Sequence, residues 1–264
     1  MACVLGAVAL TACGAPEVSP AARAPGAVAA PPSGPPTLAP GPGGLTPVFR
    51  SASRPRGRTV ALTFDADMTA GQGARASAGE RFDNPPLIRT LRRLEVPATV
   101  FMTGRWAEQY PRQARSIGRD PLFEVANHSY SHHAFTEDCY GLPTVPAARM
   151  RADVERAFTA FRRAGIARPM PYFRFPGGCY DRRALKALGT TGVTAVQWDV
   201  VSGDAFATDA GAVAREVLDG VRPGSVVVMH CTRSAAPATE EALRTIVPEL
   251  RRRGYRLVKV SELI

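Results

Sequence analysis

Apolar segments alternate with amphipathic segments from Arg58 to the end of the chain, and this alternation constrains the fold most strongly. The predicted strands are 59–64, 98–102, 122–126, 171–174, 194–198, 225–229 and 256–258. The predicted helices are 85–94, 106–117, 147–164, 182–188, 210–218 and 240–253. Strands that alternate with helices form a mostly parallel sheet, either open and doubly wound or closed into a barrel. The roughly seven strand-helix units favour a barrel.

The first 55 residues have a different composition. Residues 1–13 are apolar but too few to span a bilayer as a helix, and Leu10-Thr11-Ala12-Cys13 resembles the lipobox of bacterial lipoproteins. We expect a signal segment over 1–13 with a lipid anchor at Cys13, although an ordinary apolar N-terminus is the alternative. Residues 14–55 are mostly Pro, Ala and Gly, which predicts an extended tether before a catalytic domain at 56–264.

Three of the four histidines fall within 128–133, directly after a predicted buried strand. His128 and His132 are four residues apart, so one helical turn would place both imidazoles on the same face, where they can share a divalent cation. A polar loop with incidental histidines is the alternative for this pair alone. His133 is interpreted as a loop residue rather than a third ligand.

Chemically competent side chains also follow the other predicted strands. In a barrel of parallel strands, the carboxyl ends of the strands meet at one face, where the chemistry takes place. Each residue alone has a structural explanation, such as capping a turn or pairing on the surface. Their joint position favours one site, and its candidate members are Asp65, Asp67, His128, His132, Arg174, Asp199, Asp204 and His230.

Together these residue types suit metal-assisted hydrolysis of an amide. A cation held by two imidazoles and a carboxylate keeps open positions, polarises a carbonyl and lowers the pKa of water. A carboxylate then serves as the base. A histidine whose pKa is raised by a neighbouring carboxylate serves as the acid that protonates the departing amine.

The residues that carry this pattern resemble the polysaccharide deacetylases, also called the NodB-homology or carbohydrate esterase family 4 domain, over Arg58 to Ile264. The resemblance rests on ordered motifs: Thr63-Phe64-Asp65-Ala66-Asp67, the second-strand segment 97–104, His128-Ser129-Tyr130-Ser131-His132, Arg174-Phe175-Pro176-Gly177-Gly178, the segment 198–204 and Val228-Met229-His230. It implies a distorted (β/α)7 barrel that removes acetyl groups from N-acetylated sugars with a divalent metal, usually zinc, although cobalt or another divalent ion is also compatible.

The resemblance also implies roles for individual residues. Asp65 corresponds to the general base and His230 to the general acid, with Arg174 orienting Asp65 and Asp204 tuning His230. His128 and His132 correspond to metal ligands. The backbone N–H of Gly177 is expected to stabilise the oxyanion. Val228, with help from Phe206, is expected to form the floor of the pocket for the acetyl methyl group.

Three positions depart from the family pattern. The family's second Asp, a metal ligand, is Ala66 here, and the next carboxylate is Asp67, where the family has Gly. We expect Asp67 to take over as the metal ligand; otherwise two histidines and water hold the metal more weakly. The Tyr of the third motif is Gly177 and the Trp that closes the fourth motif is Ala205, which predicts a wider or differently shaped pocket.

Cys139, Cys179 and Cys231 each lie beside one of these motifs. An exported chain can hold disulfides, and we expect a bridge between Cys139 and Cys179, which lie in loops at the same mouth of the barrel. Ligation of the metal by Cys231 is a weaker alternative, since no Cys-x-x-Cys spacing is present.

The net charge of +10 comes from arginines scattered over the helices. It suits attraction to anionic cell-wall polymers and not nucleic-acid binding, because no base-reading motif accompanies it.

The sequence therefore predicts an exported hydrolase on the outer face of the membrane as a lipoprotein, or secreted, acting as a monomer on an N-acetylated cell-wall or extracellular glycan. Peptidoglycan N-acetylglucosamine is the first substrate candidate, and chitin-type oligomers are the second. Two other classes stay open. One is a catalytically impaired glycan-binding module on the same fold, and the other is a thiol redox protein, which lacks the expected motif.

Overall fold

The computed structural model describes residues 1–4, 6 and 34–264, and the second of its two compact units, Gly34–Ile264, contains all the predicted strands. Cys13 and residues 14–33 of the predicted tether lie outside the described residues. Within the described part of the chain, no helix is both long and apolar enough to cross a membrane.

A single sheet, whose strand pairs are all parallel, organises the described residues. Its strands are β1 (Val48–Phe49), β2 (Thr59–Ala66), β3 (Ala98–Met102), β4 (Phe123–Asn127), β5 (Tyr172–Phe173), β6 (Thr194–Val196), β7 (Val200–Val201), β8 (Ser225–His230) and β9 (Arg256–Leu257). The strand order is β1-β6-β5-β4-β3-β2-β8-β7, with β9 beside β2. Because β6 and β7 are only three residues apart in the chain yet lie near opposite ends of this order, the sheet curls round into the distorted barrel that the sequence predicts.

Helices connect the strands and cover the outside of the sheet. They are α1 (Gln72–Ser77), α2 (Pro85–Arg93), α3 (Gly104–Gln109), α4 (Pro111–Gly118), α5 (Met150–Ala164), α6 (Arg182–Leu188), α7 (Ala210–Gly220) and α8 (Thr239–Arg252). The predicted single helix at 106–117 is wrong, because Tyr110, which precedes Pro111, has non-helical φ and ψ of −122° and 54° and separates α3 from α4.

Alternation along β2 sends its side chains into two different clusters of the core. On β2, Val60, Leu62 and Phe64 pack in the large cluster with the helices, whereas Ala61 packs in a separate cluster with residues of the neighbouring strands such as Phe101. Successive side chains of a strand point to opposite faces. Asp65 therefore lies on the same face as Ala61, at the carboxyl end of the strand.

The predicted tether ends too late in the chain. Val48 and Phe49 form β1 and pair with Ala195 and Val196 of β6. Further upstream, the carbonyl of Pro36 accepts a hydrogen bond of 2.8 Å from the hydroxyl of Tyr172. The compact unit therefore includes residues 34–55, which the sequence assigns to the tether. The few apolar residues between the prolines are enough to add an edge strand once a partner strand is available.

Candidate active site

The predicted site residues meet at the carboxyl ends of the strands. Asp65 on β2 is in register with His230 on the adjacent strand β8, and the N–H of Cys231 donates a 2.7 Å hydrogen bond to the carbonyl of Asp65. A cavity of about 300 Å³ opens here. Its lining comprises Asp65, Asp67, His128, His132, Tyr140, Leu142, Gly177, Trp198, Val201, Ala205, Phe206, Val228 and His230. Arg174 and Asp204 lie behind it and contact Asp65 and His230 respectively.

Asp65 is held by a fully buried arginine. Arg174 Nη1 donates a 2.7 Å hydrogen bond to Asp65 Oδ1, and its Nε donates to the carbonyl of Val196. The guanidinium also lies 3.9 Å from the ring centroid of Phe101. Burial lowers the pKa of Arg174, against the influence of Asp65. A guanidinium nevertheless stays protonated in proteins, so Arg174 is a cation. The buried cation keeps Asp65 in one orientation as an acceptor.

The two clustered histidines are adjacent, but the expected helical turn is wrong. Ser129 and His132 have φ of 69° and 56°, and the segment is an irregular loop after β4. The loop is closed by the N–H of Ser129 to Asn127 Oδ1 and by the N–H of His132 to Ser129 Oγ. It brings the rings of His128 and His132 to a centroid distance of 5.0 Å.

Both imidazoles present a nitrogen to a carboxylate. His128 Nδ1 lies 3.0 Å from the carbonyl oxygen of Arg174, which only accepts, so Nδ1 carries the proton and Nε2 has a free lone pair. That Nε2 lies 3.6 Å from Asp65 Oδ2, and His132 Nε2 lies 3.5 Å from Asp67 Oδ2. Burial lowers the pKa of His128 and lowers that of His132 to about 4, so both rings are neutral at neutral pH.

At His128, the lone pair of the neutral Nε2 faces the Asp65 carboxylate, which leaves two acceptors opposed with no proton between them. A divalent cation resolves this opposition, and imidazole nitrogen with carboxylate oxygen is a donor set that suits zinc. No group of three or more His, Cys, Asp or Glu side chains in the described part of the chain meets the geometry of a metal site as it stands. The two imidazole nitrogens of His128 and His132 and the carboxylate of Asp67 nevertheless fit a divalent ion in their chemistry.

Asp67 has a second partner that sequence analysis missed. The hydroxyl of Thr232, the second residue after β8, donates a hydrogen bond to Asp67 Oδ1. The other carboxylate oxygen, Oδ2, faces His132. Burial acts to raise the pKa of Asp67, but His132, His230, Thr232 and His128 together lower it. Asp67 is therefore an anion that faces the histidine pair, as its proposed role requires.

His230 is paired with a buried carboxylate. Its ring Nδ1 lies 2.8 Å from Asp204 Oδ1, and its backbone N–H donates a 2.7 Å hydrogen bond to Asp204 Oδ2. Ser202 and Thr239 donate to the same carboxylate. Burial acts to lower the pKa of His230, but the hydrogen bond and charge of Asp204 raise it to about 9. Burial acts to raise the pKa of Asp204, but His230 and Thr239 lower it overall. His230 is therefore protonated at neutral pH.

The remaining predicted substrate residues differ in position. Val228 is 5% exposed on β8 and lies within the cavity, as expected of a floor residue. Phe206 is 87% exposed, so its expected place in the floor is wrong and it lies at the rim. Gly177 lines the cavity with φ of 65°. Asp199 turns away, since its carboxylate accepts from Ser225 Oγ and the N–H of Val226 at the start of β8.

The expected Cys139–Cys179 disulfide is confirmed. Cys231 is buried with a free thiol, and burial raises its pKa to about 12, which makes it a poor nucleophile and metal ligand. Tyr140 and Leu142, next to the disulfide, line the cavity but were missed by sequence analysis. The cysteine spacing was the only available signal for them.

Comparison with known proteins points to the family that the sequence motifs resemble. The sequence profile of the polysaccharide deacetylase family matches residues 52–196. A chitooligosaccharide deacetylase from Bradyrhizobium sp. (strain ANU 289) is 27% identical over 217 residues, which cover 78% of this chain and 90% of that protein. A peptidoglycan-N-acetylglucosamine deacetylase from Bacillus cereus is 27% identical over 205 residues, which cover 77% of this chain and 67% of that protein.

Solved structures share the fold. A peptidoglycan N-acetylglucosamine deacetylase bound to a naphthyl N-hydroxybenzamide aligns with a TM-score of 0.69 and 24% identity, covering 83% of this chain and 93% of that one. A CE4 family pseudoenzyme from Bacillus anthracis aligns with a TM-score of 0.66 and 23% identity, covering 86% and 69%. A family 4 acetyl xylan esterase from Clostridium thermocellum, in complex with cobalt, aligns with a TM-score of 0.61 and 23% identity, covering 78% and 89%.

The profile match extends over more than half of the chain, and the parallel barrel with its strand-end cluster agrees with it. This chain belongs to the polysaccharide deacetylase family, also known as the NodB-homology or carbohydrate esterase family 4.

Proposed function

We propose that this protein is a divalent-metal-dependent deacetylase that hydrolyses N-acetyl groups of a cell-wall or extracellular polysaccharide. One observation carries the proposal: a single cavity holds Asp65 paired with buried Arg174 and His230 paired with buried Asp204. Binding of a glycan requires neither a base nor an acid with such partners. Hydrolysis of an amide requires both.

His128, His132 and Asp67 would hold the metal, and their nitrogen and carboxylate donors favour zinc. When bound, the ion polarises the amide carbonyl and acidifies water. A cobalt ion accompanies the related acetyl xylan esterase fold, which supports a divalent ion as the cofactor without selecting zinc.

The chain's own residues supply the proton transfers. Asp65, oriented by Arg174, accepts a proton from the water that attacks the acetyl carbonyl. His230, protonated because of Asp204, donates a proton to the nitrogen as the carbon–nitrogen bond breaks. The products are acetate and a free amino sugar. The N–H of Gly177 would donate to the developing oxyanion, and Val228 would contact the acetyl methyl group.

Peptidoglycan N-acetylglucosamine is the substrate that we propose first, and chitin-type oligomers are second. Relatives bear both names. A lipid anchor at Cys13 would place the enzyme on the outer face of the membrane, within reach of the wall. The net charge of +10 suits attraction to anionic wall polymers.

A glycan-binding module without activity is the second candidate, and two observations favour it. Ala66 replaces the family's metal-ligand Asp, and a CE4 pseudoenzyme shares the fold. The intact pairs at Asp65 and His230 oppose it.

Acetate release from N-acetylglucosamine oligomers and from peptidoglycan tests the proposal. Purified protein is assayed as isolated, after chelation, and after repletion with zinc or cobalt. Acetate release that chelation removes and metal restores is the expected result. The alternative outcome is that folded, metal-loaded protein releases no acetate from either substrate but is retained on the glycan. That result would refute the deacetylase and support the binding module.

A further inference from the structure

We propose that Tyr140 binds a sugar ring of the substrate and that the Cys139–Cys179 disulfide holds it in place. This inference rests on the proposed function. Apart from Met1 and Val4, the large apolar residues that are exposed within the described residues are Tyr140, Val201 and Phe206. All three line the active-site cavity. Such residues concentrated at one cleft indicate a surface that a ligand covers.

Tyr140 occupies a conformation that its side chain does not favour. The N–H of Leu142 donates a 2.9 Å hydrogen bond to the carbonyl of Cys139, and the two residues between them, Tyr140 and Gly141, have φ of 52° and 71°. This turn type favours Asn, Asp or Gly at both positions. A bulky aromatic residue there costs stability, and its side chain is 80% exposed, so it gains little from packing. The cost is explained if the ring serves binding.

The disulfide fixes the start of this turn. Cys139 is buried and bonded to Cys179, directly after the glycine pair of the third motif. Tyr140 is therefore covalently tied, one residue away, to the loop that presents Gly177 to the cavity.

Gly177 and the turn depend on each other. A Cβ atom at Gly177 would lie 2.5 Å from Cys139 Sγ, 3.3 Å from Tyr140 Cδ2 and 3.4 Å from Leu142 Cδ1. The turn thus fills the space that a side chain at 177 would need. The motif that this segment resembles has Tyr at the position of Gly177; here a tyrosine ring from a different loop lies against the glycine.

The ligand chemistry follows from the position of the ring. The cavity holds the reacting acetyl group, and Tyr140 lies at its exposed edge, where the sugar that carries this group, or the next sugar of the chain, would lie. An aromatic face is electron-rich, and the C–H face of a pyranose presents weakly positive hydrogens. Stacking of these two faces would select oligomers over small acetate esters.

Tyr140→Ala is the direct test, and Tyr140→Phe is its matched control because it keeps the ring. For Tyr140→Ala we expect kcat/KM for tetra-N-acetylglucosamine to fall about tenfold relative to that for a small acetate ester, mostly through KM. Tyr140→Phe should keep most of the wild-type preference for the oligomer over the ester. Equal losses on both substrates, or no loss on the oligomer, would overturn the assignment.

Oligomer affinity measured by calorimetry in the inactive Asp65→Asn protein separates this inference from the proposed function. Oligomer affinity that Tyr140→Ala weakens supports the inference even if wild-type protein releases no acetate. Acetate release with unchanged affinity overturns the inference alone. No oligomer affinity in the Asp65→Asn protein, together with no acetate release by the wild-type protein, overturns both.

The double variant Cys139→Ser/Cys179→Ser tests positioning. It should weaken oligomer affinity about as much as Tyr140→Ala, and adding Tyr140→Ala to it should weaken affinity little further. Full affinity without the disulfide would show that the disulfide does not position Tyr140.

Discussion

Asp204→Asn should move the alkaline limit of activity, because Asp204 keeps His230 protonated. The pKa of His230 is raised from 6.5 to about 9. That difference corresponds to about 3 kcal/mol of interaction that favours the protonated ring. At pH 7.5, a pKa of about 9 leaves about 97% of His230 protonated. Without the charge of Asp204, the pKa of His230 falls toward its ordinary value of 6.5, because burial lowers it while Asp67 and Asp65 still raise it. A pKa of 6.5 would leave about 9% of His230 protonated at pH 7.5.

The assay is a profile of kcat against pH on an N-acetylglucosamine oligomer, together with NMR titration of the His230 ring. We expect the descending limb to move from near pH 9 toward pH 6.5, with a loss of up to about tenfold at pH 7.5. Thr239→Val is the control, because it removes one donor to Asp204 and retains the carboxylate. A limb that stays near pH 9 in Asp204→Asn would refute the assignment of His230 as the acid.

The His230–Asp204 pair should also make the stability of the folded chain depend on pH. His230 binds its proton more tightly in the folded chain, so its contribution is full below about pH 6.5 and is lost as the pH rises through about 9. The Tm difference between wild type and Asp204→Asn should therefore shrink over that interval. A constant or growing difference would contradict the linkage.

Other side chains give equally direct expectations. Asp67→Ala should weaken zinc binding at least about tenfold by calorimetry, whereas Asp65→Asn should stop turnover and keep the metal; the opposite pattern would exchange their roles. Arg174→Met should lower the free energy of unfolding by about 3–5 kcal/mol in denaturant titration, because it leaves Asp65 buried without its cation, and an unchanged midpoint would refute this. Removing the Cys139–Cys179 bridge, which spans 40 residues, should cost about 4 kcal/mol in the same titration, and a loss under 1 kcal/mol would contradict the chain-entropy estimate.

The strand ends were the part of the site that sequence could locate. Asp65 and His230 each end an apolar run, and the rule that parallel strands meet at their carboxyl ends brings them together. This inference needs only the ends of the apolar runs and the common direction of the strands, which is why it succeeds.

Loop contacts were not predictable in the same way. Thr232 meets Asp67 across 165 residues of sequence, and no periodic signal links them. The histidine spacing suggested a helix, but left-handed residues at Ser129 and His132 produce the same juxtaposition by another path. Phe206 and Tyr140 needed the structure, because exposure at a rim depends on how distant loops pack.

The register of β2 against β8 has a consequence for how this enzyme can change. Asp65 and His230 lie opposite each other on hydrogen-bonded neighbouring strands, so their separation is set by backbone geometry that few substitutions alter. Tyr140 and Phe206, the exposed aromatic residues at the rim of the cavity, lie instead in loops. Chemistry and substrate choice are therefore separable parts of this molecule: exchange of the loop segments at 133–146 and 205–208, which leaves Asp204 in place, should redirect the protein toward another acetylated polymer while Asp65 and His230 keep their alignment.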